Sequence, residues 1–207
     1  MTKELIIFDM DGTLVNSAYT IANAINYVRE KLNLPKMDNK LIEEKVNDHT
    51  INPSKYFYEI DNFEKRHENW FGEYYSLNHK KELVLYDGIY ELLVELKENN
   101  FKLAVATNAY STSTIESLTH LNILNLFDAT VSHDEVKRGK PYPDMLFKLL
   151  KDLDVSKDEA IFIGDGSRDE IASKRAGIDY IMVNWGFSEY TNAVNSIEKL
   201  KSMLINR

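Results

Sequence analysis

Cysteine is absent from the 207-residue chain. That excludes disulfides, thiolate metal sites, thiol redox chemistry and every mechanism with a cysteine nucleophile. A cationic excess is lacking too: 25 Lys and Arg against 33 Asp and Glu leave a net charge of −8. A field of that sign repels nucleic acid and anionic lipid, so neither is an expected partner, and an anionic ligand needs a local cation to enter. Long apolar runs are missing. The first, Leu5-Ile6-Ile7-Phe8, is too short for a signal-peptide core or a membrane span, which predicts a soluble cytoplasmic protein with no membrane partner. No internal repeat or low-complexity tract is present.

What is present belongs to a folded chain. Hydrophobic residues make up 43% and charged residues 28%, a globular balance, and the length fits one large domain or a main domain with an insert. Short apolar runs at residues 4–8, 102–106, 160–163 and 180–183, with a weaker one at 129–132, read as buried strands. Amphipathic stretches at 89–97, 113–121 and 144–153 read as helices between them. The alternation predicts an α/β fold, a doubly wound parallel sheet. About ninety residues separate the first two strands, far more than a βαβ unit uses, and Ile21, Ala22, Ile25, Val28 and Leu32 follow helical spacing. Residues 16–85 are therefore expected to form a small helical cap inserted after the first strand, over a Rossmann-like core of 1–15 and 86–207. The two connections, near 14–17 and 86–88, would let the insert open and close as a lid.

Ligands of open α/β sheets bind beyond the carboxyl ends of the strands. The residues there are Asp9-Met10-Asp11-Gly12-Thr13, Thr107-Asn108 and Gly164-Asp165-Gly166-Ser167-Arg168-Asp169, with Lys140 in a loop nearby. Two ionised acids ~4 Å apart repel by ~1 kcal/mol in water and ~4 at an effective dielectric near 20. A cluster of four thus points to a hard cation, Mg²⁺ before zinc or copper. Asp9 and Asp11, two apart in extended backbone, face one side. One suits a nucleophile forming an acyl-phosphate, the other a general acid/base. Gly12 allows a close backbone approach, and amides beside it, with Thr107, Asn108 and Lys140, are the candidate phosphate-binding groups.

These segments together resemble the haloacid dehalogenase-like hydrolase superfamily. Residues Phe8-Asp9-Met10-Asp11-Gly12-Thr13-Leu14-Val15-Asn16-Ser17 are similar to its first motif, Thr107-Asn108 to its second, Lys140-Pro141 to its third, and Gly164-Asp165 with Asp169 to its fourth. The resemblance implies that Asp9 is the nucleophile and a Mg²⁺ ligand. Asp11 would be the acid/base and lend its backbone carbonyl to the metal; Asp165 would complete the protein ligands, with Asp169 supporting them from behind. It also implies a phosphatase, because the dehalogenases of the superfamily lack the second carboxylate. Within it, Asp11 to Pro35, Lys140-Pro141-Tyr142-Pro143-Asp144 and Arg175-Ala176-Gly177 look like phosphoglycolate phosphatases. Departures are the cap segment Lys45-Val46-Asn47-Asp48-His49-Thr50, where a glycine-containing loop is usual, and Gly166 in place of Ser or Thr.

The expectation is a Mg²⁺-dependent phosphatase for a small phosphorylated metabolite, phosphoglycolate-like or a sugar phosphate, acting through an aspartyl-phosphate. A sugar phosphomutase on the same core is the alternative, and a non-enzymatic phospho-aspartate signalling module the rival class. Its motif order is wrong for this chain, since such receivers carry the phosphorylated Asp after a later strand. Oligomeric state is not encoded in these motifs. Other readings stay open residue by residue. Thr107-Asn108 would also serve as a helix cap, and Asp169 as a plain acid at a helix start. Arg138 and Arg168 read as surface or ion-pairing residues, and His67, His79, His120 and His133 as structural. His49 is a candidate cap specificity residue, and the aromatics between 56 and 86 read chiefly as the insert's own core.

Overall fold

The fold is described from a computed structural model over residues 3–46, 48, 50–186 and 190–205. Strand β1, Leu5–Phe8, is buried throughout. Ile6 and Phe8 enter one apolar cluster, and Leu5 and Ile7 enter a second on the opposite face. A strand that is apolar on both faces requires helices above and below it. From β1 the chain turns into β2 (Val15–Asn16) and four helices: α1 (Ala18–Lys31), α2 (Asn39–Val46), α3 (Pro53–Tyr58) and α4 (Lys65–Glu82). It returns along β3 (Val84–Leu85), which pairs antiparallel with β2, Val15 opposite Leu85.

The strand and helix alternation then resumes. It runs α5 (Ile89–Glu98), β4 (Lys102–Ala106), α6 (Ser111–His120), β5 (Ala129–Val131), α7 (Asp144–Asp152), β6 (Ala160–Gly164), α8 (Ser167–Ala176), β7 (Asp179–Met182) and α9 (Ile197–Ile205). The main sheet has the order β5-β4-β1-β6-β7 and is parallel throughout. After β1 the chain builds outward on one side through β4 and β5, then crosses back to lay β6 and β7 on the other. This reversal opens a crevice at the carboxyl ends of β1 and β6.

The predicted α/β class and the parallel sheet are what the molecule shows, with small shifts at the ends. The last strand starts at Asp179, one residue early, and Val183 bridges to Val194 instead. Helix α6 starts two residues before the expected point because Tyr110, which carries no capping side chain, is its N-cap. Ser156 and Glu159 do form a reciprocal capping box, but on a single 3₁₀ turn that runs straight into β6.

The four inserted helices have a core of their own. Ala22, Ile25 and Val28 of α1 pack with Ile42 of α2 and Phe57 of α3. Arg29, only 4% exposed, fastens α1 to its neighbours by donating from Nε to the Pro35 carbonyl at 2.8 Å and from Nη1 to the Phe57 carbonyl. Asn26 closes a reciprocal pair with the Met37 backbone, 2.9 and 2.8 Å. Such pairing satisfies polar groups that burial would otherwise penalise.

Candidate active site

Each strand of the crevice delivers one part of the site. Asp9 follows β1, its amide held by the Ile163 carbonyl at 2.8 Å, and Asp165 follows β6. Asp169 sits on the first turn of α8, where its carboxylate accepts from the Gly166 amide at 3.2 Å. The expected helix-start acid is therefore real, and it does more. Carboxylate oxygens of Asp9, Asp165 and Asp169 all lie within 4.8 Å of one another, all three residues buried.

Lys140 is the counter-charge. Its Nζ donates to Asp9 Oδ1 at 2.5 Å and to the Ala106 carbonyl at 2.8 Å, and pairs with Asp169 Oδ1 at 2.7 Å. Burial pulls the ammonium pKa down, but the Asp169 and Asp9 carboxylates outweigh it and hold the lysine charged. For Asp9, burial raises the pKa most, Asp169 and Asp165 add to that, and Lys140 opposes it. Three carboxylates against one ammonium leave a deficit of two positive charges. A buried, all-oxygen donor set with that deficit fits a hard divalent cation such as Mg²⁺.

Asp11 is placed apart from this triad. Its carboxylate accepts from Ser17 Oγ at 2.5 Å, and burial raises its pKa, with the Ser17 bond and Lys140 opposing. Met10 between the two acids is fully buried, while Asp9 and Asp11 line the same cleft. Two acids two residues apart thus reach one space from different surroundings, Asp9 among charged groups and Asp11 on the Ser17 hydroxyl.

Two of the expected anion-binding groups are engaged otherwise. The Gly12 amide donates to the Val15 carbonyl at 2.9 Å, so what Gly12 supplies is its φ of 84°, a turn that side chains resist. Asn108 is not the helix cap; its amide is closed on the Lys140 backbone in both directions, 2.9 Å each way, which aims the lysine. Thr107 is buried at the cleft, with Oγ1 accepting from the Ala109 amide at 3.1 Å. His49 lies outside the described residues.

Other residues join the site without a motif to announce them. Arg168, half-buried, donates from Nη2 to the Asp48 carbonyl at 3.2 Å and so ties the inserted segment to the sheet side; its place beside Asp169 was the available signal. His133 and Tyr110 line the cleft. Gly186 follows Trp185, whose Nε1 donates to the Thr13 carbonyl at 2.9 Å. A Cβ on Gly186 would collide with the Gly12 carbonyl and the Asp165 carboxylate, a constraint only the folded chain reveals. The aromatics of the insert serve two purposes: Trp70 packs in its core, whereas Phe57, Tyr58, Phe63, Phe71 and Tyr75 also wall the cleft.

The chain belongs to the haloacid dehalogenase-like hydrolases, whose family pattern it matches over residues 6–183. Among individual relatives, it is 33% identical over 195 residues to a Phosphoglycolate phosphatase of Colwellia psychrerythraea, covering 90% of this chain and 86% of the other. It is 29% identical to a Pyrophosphatase PpaX of Halalkalibacterium halodurans, covering 98% and 94%. A crystal structure described as a predicted phosphatase from Clostridium acetobutylicum superposes with a TM-score of 0.85, 25% identity and full coverage of both chains.

Proposed function

We propose that the protein is a phosphatase that hydrolyses a phosphate ester of a small metabolite through a phospho-aspartate on Asp9. The observation that carries this reading is the buried triad Asp9, Asp165 and Asp169 with Lys140 bonded to two of its members. Likeness to relatives named for phosphatase and pyrophosphatase activity supports it.

The chemistry follows from the carboxylates. Asp9 Oδ attacks phosphorus while the ester P–O bond breaks, and Asp11 gives its proton to the departing oxygen. Asp11 then takes a proton from water, whose oxygen attacks the phosphorus and breaks the bond to Asp9. Inorganic phosphate leaves and both acids return to their starting states. Lys140 offsets charge on the transferred group, and Thr107 faces it from the β4 end. Asp9 and Asp165, the Asp11 backbone carbonyl and Asp169 would hold Mg²⁺, which when bound supplies charge neutralisation at the phosphoryl oxygens.

The insert at 16–85 serves as a cap on the core of 1–15 and 86–207, with β2 and β3 as its paired stalk. It would exclude bulk water and select the leaving group. The test is phosphate release from a panel of monoesters with Mg²⁺, including phosphoglycolate, sugar phosphates and nucleotides, and from pyrophosphate. Release from at least one is expected; a stable acyl-phosphate with no turnover on any would overturn the reading.

A further inference from the structure

The cleft is larger than the chemistry at its floor requires. Its volume is about 1110 Å³, above the ~300–1,000 Å³ usual for small-molecule sites. The insert already touches the core on both flanks. Arg168 reaches the Asp48 carbonyl at 3.2 Å, Lys65 Nζ lies 5.8 Å over the Tyr110 ring, and the Tyr75 hydroxyl is 3.2 Å from Ser117 Oγ. The volume therefore belongs to a bridged arrangement, not to an insert swung clear of the sheet.

The apolar surface of the cleft comes from the half-buried Ile21 of α1, Phe71 of α4 and Phe63 just before α4, with Ile25, Phe57, Tyr58 and Tyr75 packed behind them and nearly closed off. Gly72 of α4 lines the same cleft and is exposed to it. Lys65, Glu68, Asn69, Gly72, Tyr75 and Ser76 recur at helical spacing along the cleft face of α4, and Gly72 leaves that stripe open. Glycine inside a helix is unfavourable, and nothing local asks for it here: its φ is not positive, and a Cβ would meet no atom within 4 Å. What the missing side chain preserves is open volume in the cleft that Asp9 and Asp11 also line.

We propose that the space over Gly72 is the leaving-group pocket and that it takes phosphate esters whose alcohol carries a flat aromatic ring. The inference rests on the phosphatase reading above. A two-carbon acid would leave the apolar surface of the cleft in contact with water, whereas a ring displaces that water against the half-buried Ile21, Phe63 and Phe71.

The test compares ethyl phosphate with naphthylethyl phosphate, whose leaving alcohols differ in the ring and little in basicity, each with Mg²⁺. Binding of the two matching phosphonates is measured alongside by calorimetry. Wild type is expected to favour the naphthylethyl ester in kcat/KM by about tenfold or more, and Gly72→Leu to collapse that ratio and the matching ratio of phosphonate affinities. Gly72→Ala, a smaller filling, should lower both ratios by less and keeps the test alive if the leucine variant fails to fold. Equal kcat/KM for the two esters in wild type, or ratios untouched by either substitution, would overturn the pocket while leaving the phosphatase reading in place. No phosphate from either ester or from any member of the panel above, with ring-dependent phosphonate binding still lost on filling Gly72, would retain the pocket and overturn the phosphatase reading.

Discussion

Asp9 and Asp11 are two residues apart and stand in different electrostatic surroundings. Asp9 is pressed among two other acids and a lysine, whereas Asp11 has Ser17 as its hydrogen-bond partner. Their expected roles differ accordingly. Asp9→Asn removes the attacking oxygen's charge with little change of shape, and phosphate release should fall by about four orders of magnitude or more, with the circular dichroism spectrum unchanged. Lys140→Met removes the counter-charge and leaves the triad uncompensated. In metal-free buffer that should cost about 3–5 kcal/mol of unfolding free energy, measured in urea, and Mg²⁺ should restore part of it. The acids and the lysine were legible in the chain because Asp-x-Asp and Gly-Asp stand at strand ends with Lys-Pro in a loop between them, in a fixed order. The Asn108 clamp on the Lys140 backbone was not, because it joins residues 32 positions apart through a loop.

Helices and strands carry a second layer of consequences. The apolar face of α5, with Leu92, Leu93 and Leu96 essentially unexposed, packs under the sheet, and its amphipathic spacing alone locates it. Leu93→Ala should lower stability by about 2–5 kcal/mol through lost burial and a residual cavity, read from a denaturant midpoint. Helix α4 behaves in the opposite sense. Gly72→Ala on its cleft-lining face should raise stability by about 0.5–1 kcal/mol, measured the same way, since the added methyl meets no atom within 4 Å. A stabilising change at that position would mean that the glycine serves the cleft and not the helix. The helical character of the insert was readable from its periodicity, but which aromatics turn toward the cleft was not. Core packing and pocket lining place the same residue types at the same spacing, and the approach of the insert to the core separates them.

For the molecule as a whole, the proposed cation site would link folding to cation binding. The charge deficit at the triad predicts that Mg²⁺ binds the folded chain and stabilises it by about 2.7 kcal/mol at a hundredfold excess over Kd. A thermal melt with and without Mg²⁺ should show the shift in wild type and lose most of it in Asp165→Asn. Chelation of the metal should likewise abolish phosphate release. No helix among the described residues is long and apolar enough to cross a membrane. Strand runs, the long gap after β1 and the ordered acidic motifs sufficed to specify the doubly wound sheet, its helical insert and the principal acids, because burial period and strand-end chemistry are local properties of a chain. Tertiary structure alone decided that Lys140 pairs with Asp169 as well as Asp9, that Arg168 reaches the Asp48 carbonyl, and that Gly186 lies against Asp165. Those depend on how distant segments meet across the crevice, where separation in space bears no fixed relation to separation in sequence.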